Sequence, residues 1–275
     1  MRNILLTIAY DGTAYYGWQI QSQLPTVQGE IESALRRVTG RDIRISGTGR
    51  TDRGVHAYGQ CATFSIEDGI PTDRIAYALN NALPGGIRIV RAEEKPEGFH
   101  ARFDAKGKTY RYRLLLQVPS EGEESSSAQL LYLRNYVYCI RQPLDLAAMR
   151  EAAKAMEGTH DFACFQAAGG EERETTVRTV YSVQLTERCL EEGFFPEETG
   201  AHVLDIDVTG DGFLYNMVRI MAGTLVDVGT GRISAADVPA IIESMDREKA
   251  GHTAPPQGLY LMHVYFEEEI GHGCK

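Results

Sequence analysis

Apolar residues alternate with polar ones at Ile4, Leu6, Ile8 and Tyr10, and Asp11-Gly12 follows, which predicts a strand closed by a turn. The period then changes. Val27, Ile31, Leu35 and Val38 recur at helical spacing behind Thr26, an N-cap type, and Gly40 stands where the run stops, so a helix is predicted there. Ile43 and Ile45, and later Ala62, Phe64 and Ile66, return to strand alternation on either side of a glycine-rich stretch. Thr72 opens a second helix carrying Ile75, Leu79 and Ala82, Pro84-Gly85-Gly86 ends it, and Ile87 to Val90 reads as another strand. The resulting order, strand, helix, strand, strand, helix, strand, is that of a split βαβ, ferredoxin-like unit with helices on one face of an antiparallel sheet.

The second half repeats the theme with insertions. Tyr110, Tyr112 and Leu114 alternate with Arg111 and Arg113 as a strand, residues 121–127 (EGEESSS) read as a surface loop, and Leu131 to Ile140 reads as a further strand. Asp145 is expected to cap a helix with Leu146, Met149, Ala153 and Met156 on one face, ending at Gly158. Strands are predicted at Val177 to Leu185, Val203 to Val208 and Leu259 to Phe266, a helix from about Phe213 to Val228, and another that Ser234 and Asp237 begin like a capping box. The fold class expected is α+β, with residues 1–105 as an N-terminal α+β domain and 106–275 as a related C-terminal one.

The stretch between the first-half strands, residues 46–64, sets four glycines (Gly47, Gly49, Gly54, Gly59) among Arg50, Thr51, Asp52, Arg53 and His56. Glycines allow positive φ and let backbone lie close to a ligand, and a loop that had only to turn would not need the charges. Guanidinium groups on either side of Asp52 favour its carboxylate, a shift of about 1 to 3 units for a close pair, which suits a nucleophile or general base. Tyr15, Tyr16 and Trp18 mixed with Gln19, Gln21 and Gln23 fit either a nucleobase surface or a packed loop. Arg219 lies on an otherwise apolar helix and calls for an anionic partner.

Composition is that of an ordinary globular chain, 43% apolar and 24% charged over 275 residues. The net charge of −10 argues against a polyanion partner if taken as a whole, but residues 36–53 and 101–113 each carry a net +4. The acid collects instead in Glu121 to Glu124, Glu187 to Glu198 and Glu267 to Glu269. Five cysteines without CxxC spacing and seven scattered histidines point to free thiols in a reducing compartment and suggest no metal site. The first residues suit neither a signal peptide nor a membrane span, so a cytoplasmic protein is expected.

Taken in order, YDGTAYYGWQIQ, TVQGEIESAL, GTGRTDRGVHAYGQ, FHARFDAKGKTYRYR, HDFACF, VRTV, GDGFLYNMVRIMAGTLVDVG and QGLYL run nearly the length of the chain. In these blocks it resembles the bacterial tRNA pseudouridine synthases of the TruA type, which modify uridines at positions 38 to 40 of the anticodon arm. The resemblance implies two ferredoxin-like-derived halves flanking a central, positively charged active-site cleft, a homodimer that shares one tRNA, and no metal or organic cofactor. It implies Asp52 as the catalytic aspartate and Tyr110 as the tyrosine against the target base. It further implies Arg219 as an arginine that pairs with Asp52 or holds the nucleotide, and Arg50 as a group that takes the place of the flipped-out base. Arg53, His56, Arg36, Arg37, Lys106 and Lys108 are candidates for contacts to RNA. Glu174, Cys61 and the acidic insertion near residue 192 depart from the family pattern.

The reaction implied converts an N-glycosidic bond to a C-glycosidic one: uracil is detached at N1, turned, and rejoined through C5. Asp52 attacking C1′, adding to C6 or removing a sugar proton are all compatible with the sequence. Two other readings stand beside it. A non-catalytic RNA-binding protein would share the basic and aromatic strands but has no need of the GRTDRG loop, and no RNP1-like run is present. A nucleoside glycosidase would want a second carboxylate near Asp52, and none is evident.

Overall fold

The alternation beginning at Ile4 becomes strand β1, Arg2–Tyr10, in a computed structural model that describes residues 1–67, 69–116, 128–170, 174–189 and 202–267. The residues fall into two units: Met1–Lys108 with the chain from Tyr260 on, and Thr109–Leu259. A division at 105/106 would leave the final strand in the second unit. It joins the first because Tyr260 and Leu261 pair in parallel with His56 and Ala57.

In the first unit, β1 is followed by α1 (Val27–Thr39), β2 (Ser46–Gly47), β3 (His56–Ile66), α2 (Thr72–Ala82) and β4 (Ile87–Lys95). β1 lies between β3 and β4, antiparallel to both, and β2 pairs antiparallel with β3, which gives the order β4-β1-β3-β2. Helix α1 starts and stops where its local signals stand. Thr26 Oγ1 accepts the Gly29 N–H at 3.3 Å, and Gly40 closes the helix at φ 70°. Its buried face, Val27, Ile31, Ala34 and Leu35, shares a core with Ile4, Leu6 and Ile8 of β1, Ile75 and Leu79 of α2, and Ile87 and Ile89 of β4. Burying each Leu, Ile or Val side chain contributes roughly 1.5 to 3 kcal/mol. The strand expected through Ile43 and Ile45 is absent: the Ile45 N–H goes to the Glu32 carboxylate (3.1 Å) and its carbonyl to Gln28 Nε2 (3.2 Å), so side chains of α1 take the bonds a ladder would need.

The second unit holds most of β5 (Gly107–Leu116), then α3 (Ala128–Leu133), β6 (Tyr138–Ile140), α4 (Leu146–Ala155), β7 (Gly158–Asp161), β8 (Val177–Cys189), β9 (His202–Gly210), α5 (Met217–Gly229) and α6 (Val238–Ser244). Its strand order is β5-β9-β8-β7, with β8 antiparallel to both β7 and β9. β6 pairs with β5 in parallel, so the sheets expected to be antiparallel are mixed. β10 (Leu259–Tyr265) ends the described secondary structure. Tyr112, Leu114, Leu204, Ile206, Phe162, Phe165, Met149, Ile220, Met221 and Leu225 are completely buried in this unit.

Three sequence expectations change here. Leu131 to Ile140 is not one strand: α3 closes with both the Tyr136 and Val137 N–H groups on the Leu133 carbonyl, and only Tyr138–Ile140 is extended. α5 begins at Met217 rather than near Phe213 because Asn216, at φ 60°, breaks the helical path. Ser234 forms no side-chain cap; a 3-10 turn, Ala235–Asp237, leads into α6 instead. The EGEESSS loop, residue 192 and most of the three acidic runs lie outside the described residues. Among the described residues no helix is long and apolar enough to cross a membrane.

Candidate active site

Asp52 sits half-buried in the loop that leads from β2 into β3. Three ties fasten that loop. The Trp18 N–H donates to the Thr51 carbonyl (3.0 Å), while the Gly17 and Trp18 carbonyls accept the Val27 and Gln28 N–H groups (3.1 and 3.0 Å), so the residue before Asp52 hangs from the first turn of α1. The Tyr10 and Thr51 hydroxyls meet at 2.7 Å. After Asp52 the chain turns at once, with the Val55 N–H on the Asp52 carbonyl at 3.1 Å. Gly17 is required: at φ 87°, a Cβ there would lie 2.6 Å from the Thr51 oxygen.

Of the four loop glycines only Gly54, in the turn, takes positive φ (79°). Gly47 and Gly59 serve close approach within the protein, since a Cβ would strike the Trp18 indole at 2.6 Å or the Met262 carbonyl at 2.4 Å, whereas at Gly49 it would meet only the movable end of Lys108, at 2.8 Å. Tyr15 and Trp18 are buried, so that aromatic stretch is packed loop rather than nucleobase surface. Tyr16 is the exception. The exposed Arg53 lays its guanidinium 4.3 Å from the Tyr16 ring centre, a contact worth about 0.5 to 1 kcal/mol at such a site.

Among the other candidates in this unit, Arg50 is exposed. His56, a candidate for contact to RNA, is buried in this structure. The ring is 2% exposed, stacked on Tyr260 at 4.8 Å, and its Nδ1 accepts the Gly12 N–H at 3.1 Å. Asp11 Oδ1, 3.3 Å from the same nitrogen, is engaged by the Thr13 amide and hydroxyl. His56 is therefore a strut at the loop's exit. Arg36 and Arg37 are exposed on α1, the first beside Asp42 at 3.4 Å and the second donating to the Ala82 carbonyl at 2.6 Å. Arg41 and Arg44 of the same basic segment also face carboxylates, Glu67 and Glu32. Lys106 is exposed, whereas Lys108 is half-buried with Nζ on the Thr48 carbonyl at 3.2 Å.

Tyr110 and Arg219 belong to the second unit. Tyr110, half-buried on β5, meets Phe213 edge to face at 5.2 Å. Arg219, on the first turn of α5, donates from Nε to the Ala254 carbonyl (2.8 Å) and from Nη1 to Asn216 Oδ1 (2.7 Å). The neighbours of Tyr110 are not a basic face. Arg111 grips Asp207 with two bonds of 2.7 Å, Arg113 and Arg188 pair with the buried Asp205, and Tyr112 is core, its hydroxyl held un-ionised by burial. Phe213, against Tyr110, and Asn216, against Arg219, are neighbours that no sequence pattern marked. Cys61, a departure from the family pattern, is buried, and burial pushes its thiol up to about 12. Among the described residues no three His, Cys, Asp or Glu side chains gather as a metal ion would need.

A half-buried carboxylate on a stiff loop suits a nucleophile or a general base. The family model for tRNA pseudouridine synthase matches residues 6–104 and 152–267, so the chain belongs to that family of isomerases acting on tRNA uridine. It is 47% identical over 266 residues to "tRNA pseudouridine synthase A" of Ruminiclostridium cellulolyticum, covering 97% of this chain and 100% of that one. It is 46% identical over 266 residues to the protein of the same name in Caldicellulosiruptor bescii, with the same coverage. A chain in the solved structure "Crystal Structure of a Cbf5-Nop10-Gar1 Complex" aligns over 95% of this chain and 59% of its own at TM-score 0.32 and 9% identity, too slight a likeness to bear on the fold.

Proposed function

We propose that this chain isomerises uridine to pseudouridine at positions 38, 39 or 40 of the tRNA anticodon stem-loop, with Asp52 as the essential nucleophile or base on a flipped-out uridine. The observation that carries the reading is the fastening of Asp52: backbone bonds from Trp18 and to Val55 hold the loop on both sides of the carboxylate, which is what positioning against a sugar or base demands. In the reaction the N1–C1′ bond breaks, C5–C1′ forms, the C5 hydrogen leaves as a proton and N1 regains one.

Extruding the base costs a few kcal/mol, which a pocket that stacks on it and reads its edge must offset. On this reading Tyr110 lies against the base, Arg219 holds the nucleotide or pairs with Asp52, and Arg50 occupies the gap left in the stem. The two units are then ferredoxin-like halves flanking a central positively charged cleft. The order β4-β1-β3-β2 of the first unit supports that description. The enzyme works as a cytoplasmic homodimer on one tRNA, and Arg53, Arg36, Arg37, Lys106 and Lys108 contribute phosphate contacts.

Release of tritium from tRNA labelled at uridine C5 tests the reading. Wild type releases it and Asp52→Ala does not, while binding tRNA within several-fold of wild type. Turnover by Asp52→Ala rejects the role of Asp52; binding without release by the wild type favours a non-catalytic RNA-binding protein.

A further inference from the structure

Arg219 is aimed by a strap. Its Nε donates to the Ala254 carbonyl at 2.8 Å, and the Ala254 N–H donates back to the Arg219 carbonyl at 3.1 Å. Ala254 lies in a segment, residues 250–255, that belongs to no helix or strand. A long side chain with this much rotamer freedom points where its acceptors are, so the strap, together with Asn216, helps set the position of the guanidinium.

The strap is clamped one to two turns further along α5. Thr224 Oγ1 accepts the Gly251 N–H at 2.9 Å. A single oxygen of Asp227, Oδ2, accepts the His252 N–H at 3.1 Å and lies 2.9 Å from His252 Nδ1. The Asp227 carboxylate oxygen is an acceptor, so the hydrogen on Nδ1 faces it, and the Tyr138 hydroxyl, on β6, lies 3.4 Å from the other ring nitrogen. The second Asp227 oxygen faces the Arg232 guanidinium at 3.3 Å. Asp227 is 7% exposed, so these contacts are made away from bulk water. Gly223 permits the close fit: a Cβ there would lie 1.8 Å from the His252 carbonyl oxygen. At the far end the Tyr112 hydroxyl donates to the Pro255 carbonyl at 2.7 Å.

We infer that Asp227 is a positioning residue for the isomerisation: by clamping Gly251 and His252 against α5 it fixes the Ala254 carbonyl that orients Arg219. The inference rests on the reading of Arg219 as a group that acts on the nucleotide. It gives a role to a buried acid that the proposed site does not otherwise use. A displacement of about 1 Å in a positioning group can cost about 100-fold in rate, so the effect belongs in kcat rather than KM.

Two measurements test this. Tritium release is followed for wild type, Asp227→Asn and His252→Ala, each with Arg219 intact and with Arg219→Ala. Asp227→Asn is expected to lower kcat about 10- to 100-fold with KM within several-fold, His252→Ala less, and neither to lower it further once Arg219 is gone. Equal fold-losses in both backgrounds overturn the inference, since a merely structural role acts regardless of Arg219. Proton exchange of the Arg219 Nε–H by NMR reads the clamp without activity: slow in wild type and faster in Asp227→Asn and His252→Ala. Exchange unchanged in both variants also overturns it. A wild type without tritium release would reject the pseudouridine reading, and the exchange data alone would then uphold or overturn the clamp.

Discussion

The Tyr10 hydroxyl and the Thr51 hydroxyl lie 2.7 Å apart, both residues buried, so the end of β1 is bonded to the residue immediately before Asp52. Removing either partner breaks this buried bond, which costs about 0.5 to 1.5 kcal/mol. Tyr10→Phe and Thr51→Val are each expected to lower the denaturation midpoint. Each should also lower kcat, because Thr51 sets where the Asp52 backbone starts. The double variant loses the same single bond, so it is expected to be more stable than the sum of the singles predicts but not to recover kcat. Chemical denaturation paired with tritium release checks both halves; full recovery of kcat in the double variant would argue against any coupling of the pair to Asp52.

Salt dependence separates the basic candidates. Lys106 and Arg36 are exposed, and Arg36 has the likewise exposed Asp42 beside it, a pair worth little in water. tRNA affinity is expected to fall as salt rises, and Lys106→Ala and Arg36→Ala each to reduce the slope of log K against log salt by about 1. Lys108→Ala should differ in kind, because its Nζ also holds the Thr48 carbonyl in the Asp52 loop and its loss should cost stability as well. Filter binding across a salt series, with melting curves for each variant, decides; a slope that no variant changes would remove these residues from the interface.

What was legible in the sequence is what neighbouring residues decide. Thr26 and Gly40 bound α1 because an N-cap oxygen and a left-handed closing glycine act within a turn of themselves, and Asp145 does the same for α4 with bonds to the Ala147 and Ala148 amides. Asp52 stood out because carboxylate and guanidinium groups crowd a glycine-rich loop. The misreadings come from contacts between distant segments. Ile43 and Ile45 alternate like a strand, yet Gln28 and Glu32 claim the backbone bonds at Ile45. His56 reads as a surface group until Gly12 and Tyr260 enclose it. Arg111 and Arg113 add to the net positive charge of residues 101–113, but Asp205 and Asp207 meet them across from β9. Leu131 to Ile140 misled for a different reason: a helix of 6 residues followed by a strand of 3 is too short for either period to declare itself.

Asn216 holds Arg219 from the other side, through Oδ1 to Nη1 at 2.7 Å, and does so from φ 60°, a conformation asparagine tolerates better than most residues. Two substitutions divide these roles. Asn216→Gly keeps the backbone and removes the bond, whereas Asn216→Ala removes the bond and strains the backbone by roughly 1 to 2 kcal/mol. Both are expected to lower kcat to a similar degree, and only Asn216→Ala to lower the melting temperature appreciably. Equal stability losses would mean that the left-handed turn is not what glycine restores; unchanged kcat in both would free Arg219 from dependence on Asn216.

Burial makes two cysteines report on folding. The Cys61 thiol is pushed up to about 12 and the Cys164 thiol to about 11, from an ordinary 9.0, chiefly because the charged thiolate is excluded from the interior. Neither should be alkylated by iodoacetamide at pH 8 in the native protein, and both should react once it is denatured, which peptide mass spectrometry reads directly. The sign of the stability effect follows from the same shift. A thiol whose folded value is raised keeps its proton where the unfolded chain has lost its own, so its contribution is complete below about pH 9 and is lost as pH rises towards about 12. Over that window each such thiol weakens folding by up to about 1.4 kcal/mol per pH unit. Cys61→Ala is therefore expected to be somewhat less stable than wild type at pH 8, from the lost side-chain contacts, yet to lose stability less steeply between pH 9 and 10.5. Identical slopes for the two proteins in urea titrations across that range would mean that the Cys61 thiol ionises as readily folded as unfolded.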